Sequence, residues 1–332
     1  MLKFIYNRKK EKKMRDTTRE IFDKYQVRKT KAQKQAFRDY LISYAKSQGY
    51  EARTESAGKS AQNVVVGDPK SAEVVYTAHY DTCAIMPFPN FITPKCIPIY
   101  LLYQIVLSLI IYIIPLSVII GSRHVLNATG SSIYFLATFF SGYVLLILFT
   151  MLLLKGPANK HTANDNTSGV TLLIDVMTDM PDELRAKAAY IFFDLEEMGT
   201  LGSKGYAMRH KTLAKQITVV NFDCVSDGKN ILFVVKKKAT DFADKLAAAF
   251  KSNETYTVDI TTKGAFYPSD QRNFERGIGV SALNKTKGGL LYMNKIHTKR
   301  DTVYDEANID FLKDGAIELV SILSKSNSQS VG

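Results

Sequence analysis

Apolar runs of two lengths alternate along this chain, and each length predicts a different element. Short runs bounded by polar or turn residues predict strands near Asn63–Val66, Val74–Ala78, Ala189–Phe193, Ile217–Phe222, Ile231–Val235 and Val280–Leu283. Between them, apolar residues spaced three and four apart predict helices over Lys29–Gln48, closed by Gly49, and over Ser168–Met177, Ser203–His210, Asp241–Lys251 and Ile309–Leu323. This alternation predicts an α/β fold with a mixed, largely parallel central sheet flanked by helices. Ligand sites in such sheets sit at the carboxyl ends of the strands.

The second length is far greater. Ile97–Ile120 and Ile133–Leu154 contain no charged residue, and at about 1.5 Å per helical residue each exceeds a hydrocarbon core of roughly 30 Å. A transmembrane hairpin is expected over 97–155, with Gly121–Ser132 as a polar loop and Pro115 as a kink. The expected organisation is a basic segment and helix over 1–48, an α/β domain of 49–96 plus 156–332, and the hairpin inserted between its halves. Lys95, Lys155 and Lys160 flank the spans, against Arg123 alone in the loop. That bias predicts a multi-pass protein of the cell membrane with both termini and the α/β domain on the cytoplasmic side.

Charge sharpens this picture. The formal net charge is +12, and residues 1–38 hold fourteen Lys or Arg against four Asp or Glu, so the basic character is N-terminal. Beside a hairpin, such a segment is expected to meet anionic inner-leaflet lipid; no nucleic acid is expected. The first residues lack the apolar stretch of a secretory leader. Cys83, Cys96 and Cys224 are too few and too irregular for a disulfide framework or a thiolate zinc site, which points to a reducing compartment.

The candidate chemistry lies where the strands end. IFFDLEEMGTLGS delivers Glu196 and Glu197 side by side, although neighbouring carboxylates repel. A cation would stabilise them together. His79 and Asp81 follow the Val74–Ala78 strand in VVYTAHYDT, Asp223 closes ITVVNFD, Asp165 lies in ANDNTSG before a helix, and IHTKRDT offers His297 and Asp301. Two imidazoles with surplus carboxylates suit zinc, and suit a metal pair sharing one ligand. His124, His161 and His210 are expected to lie outside this group.

The ordered set of HxD, DxxSG, EE, FD and IHTxxDT resembles the zinc-dependent aminopeptidases of metallopeptidase family twenty-eight, which also includes glutamate carboxypeptidase and the glutaminyl cyclases. The resemblance runs from about Asn63 to near Leu323, interrupted by the hairpin. It implies a di-zinc exopeptidase fold and two co-catalytic zinc ions, with His79 and Asp223 on one, Glu197 and His297 on the other, and Asp165 bridging. It implies that Asp81 accepts a hydrogen bond from His79 and fixes its tautomer, and that Glu196 takes a proton from a water between the metals. Peptides losing N-terminal residues would be the substrates. A glutaminyl-cyclase-like acyltransferase and a non-catalytic membrane receptor or scaffold are the alternatives. The chain departs from the family pattern at Gln271, where a histidine often follows the Ser269–Asp270 pair, so Asp270 and Tyr267 are only weak candidates for substrate contact. The hairpin is a further departure.

Overall fold

Helix formation at the N-terminus follows local capping chemistry. Thr30 accepts from the Gln33 N–H while the Gln33 side chain accepts from the Thr30 N–H, a reciprocal cap that starts a helix at Lys31. In the computed structural model, which describes residues 14–58 and 60–329, the chain forms α1 (Asp16–Lys24), α2 (Lys31–Ser47), β1 (Ala52–Ala57), β2 (Ala61–Val66), β3 (Val74–His79), α3 (Ile97–Thr129), α4 (Ser132–Lys155), α5 (Gly169–Asp179), β4 (Ala188–Phe193), α6 (Leu201–Arg209), α7 (Lys211–Gln216), β5 (Thr218–Phe222), β6 (Asn230–Val235), α8 (Ala243–Ala249), β7 (Thr257–Thr261), β8 (Arg276–Lys285), β9 (Leu291–Tyr292) and α9 (Glu306–Gln329).

One mixed sheet runs β1-β2-β4-β3-β5-β8-β6-β7, with β9 paired to β8. Its centre, β4-β3-β5-β8, is parallel, and antiparallel pairing enters through β1, β2, β6 and β9. Alternate residues sort onto two faces. Tyr76, Ala78, Tyr190, Phe192, Val220 and Phe222 pack under α1, α2, α5, α8 and α9, while Val75, Ile191, Phe193 and Val219 pack against α6 and α7. Because β3 and β4 are buried on both faces, they read in the sequence as continuous apolar runs.

The stretch set apart by composition at residue 48 does not pack separately. Ile21 of α1 and Phe37, Leu41 and Ala45 of α2 lie in the same core as the sheet, each burial worth about 1.5–3 kcal/mol for the larger side chains. Six of the fourteen basic residues expected to meet lipid fall on residues 1–13, outside the described residues. Among described elements, β1 and β7 escape the apolar pattern because both are edge strands, mixed in polarity and largely half-buried.

Helices α3 and α4 are long and apolar enough to cross a membrane. Of their most apolar 18-residue stretches only 17% and 6% of residues are buried, unlike the core helix of a soluble domain. They pack on each other, where Gly142 lets α4 approach α3: a Cβ there would stand 2.5 Å from Ile119 Cγ1 and 3.2 Å from the Pro115 carbonyl. The connection is shorter than the polar loop expected over Gly121–Ser132. Helix α3 continues through Arg123 and His124 to Thr129, and Gly130 ends it at φ +63°. The helix runs on through Pro115 and Gly121 and ends only where Gly130 takes the left-handed conformation, so the polarity of residues 121–129 does not set its end.

Candidate metal centre at the carboxyl ends of the sheet

Adjacent parallel strands bring their ends to one place. His79 is the last residue of β3, Glu196 and Glu197 follow β4, and Asp223 follows β5. The first acid of the IFFDLEE run turns the other way: Asp194 accepts from Lys34 Nζ at 2.7 Å and from the Gln62 N–H at 3.0 Å, a buried structural pair. Asp165 comes from the loop before α5. That loop is held against β5 by Asn166, whose amide donates to the Phe222 carbonyl (3.0 Å) and whose Oδ1 accepts from the Gly169 and Cys224 N–H groups. Gly169 is required by this approach, since a Cβ would lie 2.4 Å from the Phe222 carbonyl oxygen.

The decisive geometry is at Asp165. Its Oδ1 lies 3.3 Å from His79 Nε2, which is also 3.6 Å from Asp223 Oδ1. Its Oδ2 lies 3.1 Å from His297 Nε2, which is also 3.3 Å from Glu197 Oε2. One carboxylate thus faces two donor sets, His79 with Asp223 and His297 with Glu197. Burial opposes charge on His297, yet Glu197 and Asp165 outweigh it and raise its pKa to about 9; burial likewise opposes charge on His79, and Asp165, Asp223 and Asp81 hold it well above the usual imidazole range. Burial pushes Glu197 up to about 8 and Glu196 well above the ordinary carboxylate range. These five buried or half-buried donors form two groups that could hold metal ions. Glu197 Oε1 is buried with no hydrogen-bond partner, so the residues present fit a metal.

Supporting groups set these side chains. His79 Nδ1 has the Asp81 carbonyl 3.1 Å away, nearer than the Asp81 carboxylate at 3.6 Å, so a proton on Nδ1 is donated to backbone and Nε2 stays available. The Asp81 carboxylate instead accepts from the N–H groups of Glu196 (3.0 Å) and Glu197 (3.3 Å). It fixes where the two glutamates leave the backbone. Leu195, Cys224 and His297 adopt φ of +56°, +57° and +62°, left-handed conformations that side chains other than glycine seldom take and that gather at functional sites.

Asp270 lies buried near Glu196, accepting from Ser203 Oγ, with Oδ2 unpartnered and burial raising its pKa to about 7. Tyr267 is buried and donates to the Asp223 carbonyl at 3.1 Å. Gln271 is committed to the fold, donating to the Tyr267 carbonyl (2.7 Å) and accepting from Asn221 (3.1 Å). His210 stands apart, paired with Glu55 at the sheet edge.

Three further neighbours surround these groups. Asp301 accepts from the Asn164 N–H at 2.8 Å and the Asp165 N–H at 3.0 Å. Cys83 joins Asp165, Glu197 and His297. Arg28, fully buried behind the cleft, donates to the Tyr25 carbonyl (2.7 Å), to Thr167 (3.1 Å) and to the Tyr80 carbonyl, and burial lowers its pKa to about 10. Only IHTKRDT hinted at Asp301, by its place beside His297; a lone arginine in a basic stretch and a lone cysteine carry no signal.

The family model described as peptidase family M28 matches residues 150–320, just over half of the sequence. The chain belongs to peptidase family M28. No curated protein matches by sequence. Among solved structures, a Porphyromonas gingivalis glutaminyl cyclase is similar with a TM-score of 0.57 at 13% identity, over 92% of this chain and 97% of that one. A zinc-dependent exopeptidase from Parabacteroides distasonis gives 0.52 at 16%, over 91% and 97%, and a leucine aminopeptidase precursor from Bacteroides thetaiotaomicron gives 0.52 at 15%, over 91% and 93%. At such identities the likeness concerns the fold, and the M28 fold is the mixed sheet flanked by helices described above.

Proposed function

We propose that this M28 chain is a membrane-anchored, zinc-dependent aminopeptidase. The carrying observation is the division of Asp165, whose two oxygens face separate donor sets 3.3 and 3.1 Å away. His79, Asp165 and Asp223 would hold one zinc ion, and Asp165, Glu197 and His297 the other. When bound, such a pair supplies Lewis acidity to the scissile carbonyl and acidifies water near neutral pH.

The remaining work falls to the chain. Glu196, half-buried and anchored through its N–H to Asp81, accepts a proton from the attacking water and returns it to the departing amine nitrogen as the C–N bond breaks. Glu197, anchored by the same carboxylate, is turned toward His297. Adjacent glutamates thereby serve as proton carrier and metal ligand. Asp81 and Asp301 are positioning residues, and Asp270, close to Glu196 in the cleft wall, is a candidate contact for the substrate.

The hairpin anchors this cleft at a bilayer, with both termini cytoplasmic as the lysine bias implies. The segment leading into it reaches the site, the Met86 N–H donating to the His297 carbonyl (2.8 Å), while Pro94 accepts from the Phe266 N–H (2.8 Å) and Pro89 accepts from Tyr103 of α3 (2.6 Å). At the other end, Lys29 donates to the Leu154 carbonyl at 3.0 Å. Peptides at or near the membrane are therefore the favoured substrates.

The test uses the full chain in detergent, with zinc quantified by mass spectrometry. Expected are about two zinc ions per chain and release of N-terminal residues from aminoacyl reporters. Cyclisation of glutaminyl peptides without aminoacyl release would identify a cyclase instead. Loaded protein without turnover on either panel would identify a scaffold.

A further inference from the structure

Cys83 is buried four residues beyond His79, on the segment leaving β3. Its Sγ, one carboxylate oxygen each from Asp165 and Glu197, and a ring nitrogen of His297 all lie within 4.8 Å of one another. The thiol is held there by its surroundings. Asn159 donates its N–H to the Cys83 carbonyl (3.1 Å) and its side-chain amide to the Thr298 carbonyl (3.1 Å), and that amide stands 3.8 Å from Sγ. Ala84 pairs with Ala158, joining the same segment to the chain returning from the hairpin. An independent sign of a ligand is the buried, unpartnered Oε1 of Glu197, whose side chain is 10% exposed. The cluster around His79 contains nitrogen and oxygen donors only.

We propose that Cys83 is a fourth protein donor in the His297 half of the centre, giving the two metal positions unlike ligand sets. The proposal rests on the reading of the cleft as a metal centre. The His297 half would then offer four protein donors, Cys83, Asp165, Glu197 and His297, against three in the other half, His79, Asp165 and Asp223. Cys83 binds as the thiolate, its proton passing to solvent. A sulfur donor favours zinc and cadmium over manganese and magnesium, so the two halves differ in selectivity.

The test is cobalt(II) spectroscopy on the full chain stripped of metal in detergent. Wild type is expected to show an intense sulfur-to-cobalt charge-transfer band in the near ultraviolet. Cys83→Ser and Cys83→Ala lose it; Cys224→Ser keeps it. Cadmium affinity of Cys83→Ser should fall by more than about tenfold, the lower end of what losing even an outer partner of a metal ligand costs. Cobalt-loaded wild type without the band, or Cys83→Ser with the band intact, overturns the proposal while leaving the metal centre standing. Wild type that takes up no cobalt overturns both. Should the Cys83 variants fail to fold, X-ray absorption of the zinc-loaded unmodified chain decides: a sulfur scatterer at about 2.3 Å is expected, and nitrogen and oxygen alone rule it out.

Discussion

The carboxylate of Asp301 holds Asp165 from behind, accepting the Asp165 N–H at 3.0 Å and the neighbouring Asn164 N–H at 2.8 Å. Both oxygens are engaged by backbone, so Asp301 sets the loop that carries Asp165 without facing the donor sets. Asp301→Asn replaces one acceptor by an NH₂ donor opposite an N–H. It is expected to weaken zinc binding about 10- to 100-fold, and Asp165→Ala to abolish nearly all of it. Zinc titration against a competing chelator checks both; an Asp165→Ala chain with full metal content would remove Asp165 from the shared position.

The two glutamates are expected to separate under conservative change. Glu196→Gln should retain zinc and lose roughly 10²–10⁴-fold in kcat, the usual contribution of a positioned proton carrier. Glu197→Gln should lose zinc first. Metal analysis run beside steady-state kinetics distinguishes them, and the reverse pattern would exchange their roles.

Acidity at Glu196 offers a third measurement. Burial raises its pKa well above the ordinary glutamate range, and the neighbouring Asp270 and Asp223 raise it further. A proton acceptor must be ionised, so activity should fall as pH drops through this raised value. Asp270→Asn removes one nearby negative charge, which makes the ionised form easier to reach and moves the acid limb of kcat/KM to lower pH. Because Glu196 and Asp270 interact, the limb reports the pair. A limb that stays fixed or moves upward would take Asp270 out of the electrostatics of Glu196.

Topology follows from the shortened connection. A reporter at Gly130–Ser131 should lie on the extracytoplasmic side, with tags at both termini on the cytoplasmic side. Replacing 97–154 by a short soluble linker should preserve zinc content and turnover of small aminoacyl reporters while removing preference for bilayer-associated peptides. Loss of zinc from that variant would show instead that the lead-in holding His297 through Met86 depends on the hairpin.

What the sequence determined by itself were properties carried by neighbours along the chain. The uncharged length of Ile97–Ile120 and Ile133–Leu154, the buried runs of β3, β4 and β5, and the acids and imidazole at their ends are all local, and parallel pairing of adjacent strands needs no further information to gather those ends. Tertiary structure decided how the gathered groups face one another. That Asp165 presents each oxygen to a different histidine, that the Asp81 carboxylate holds the backbone of both glutamates, that Asp301 clamps the Asp165 loop, and that Cys83 enters the His297 cluster depend on contacts between positions tens to hundreds of residues apart. The edge strand β7 likewise forms against β6, where a neighbouring edge some 27 residues earlier offers unpaired N–H and C=O groups. Hydrogen bonds and metal-donor distances are fixed to fractions of an ångström, and only the packed sheet and its loops hold side chains to that tolerance.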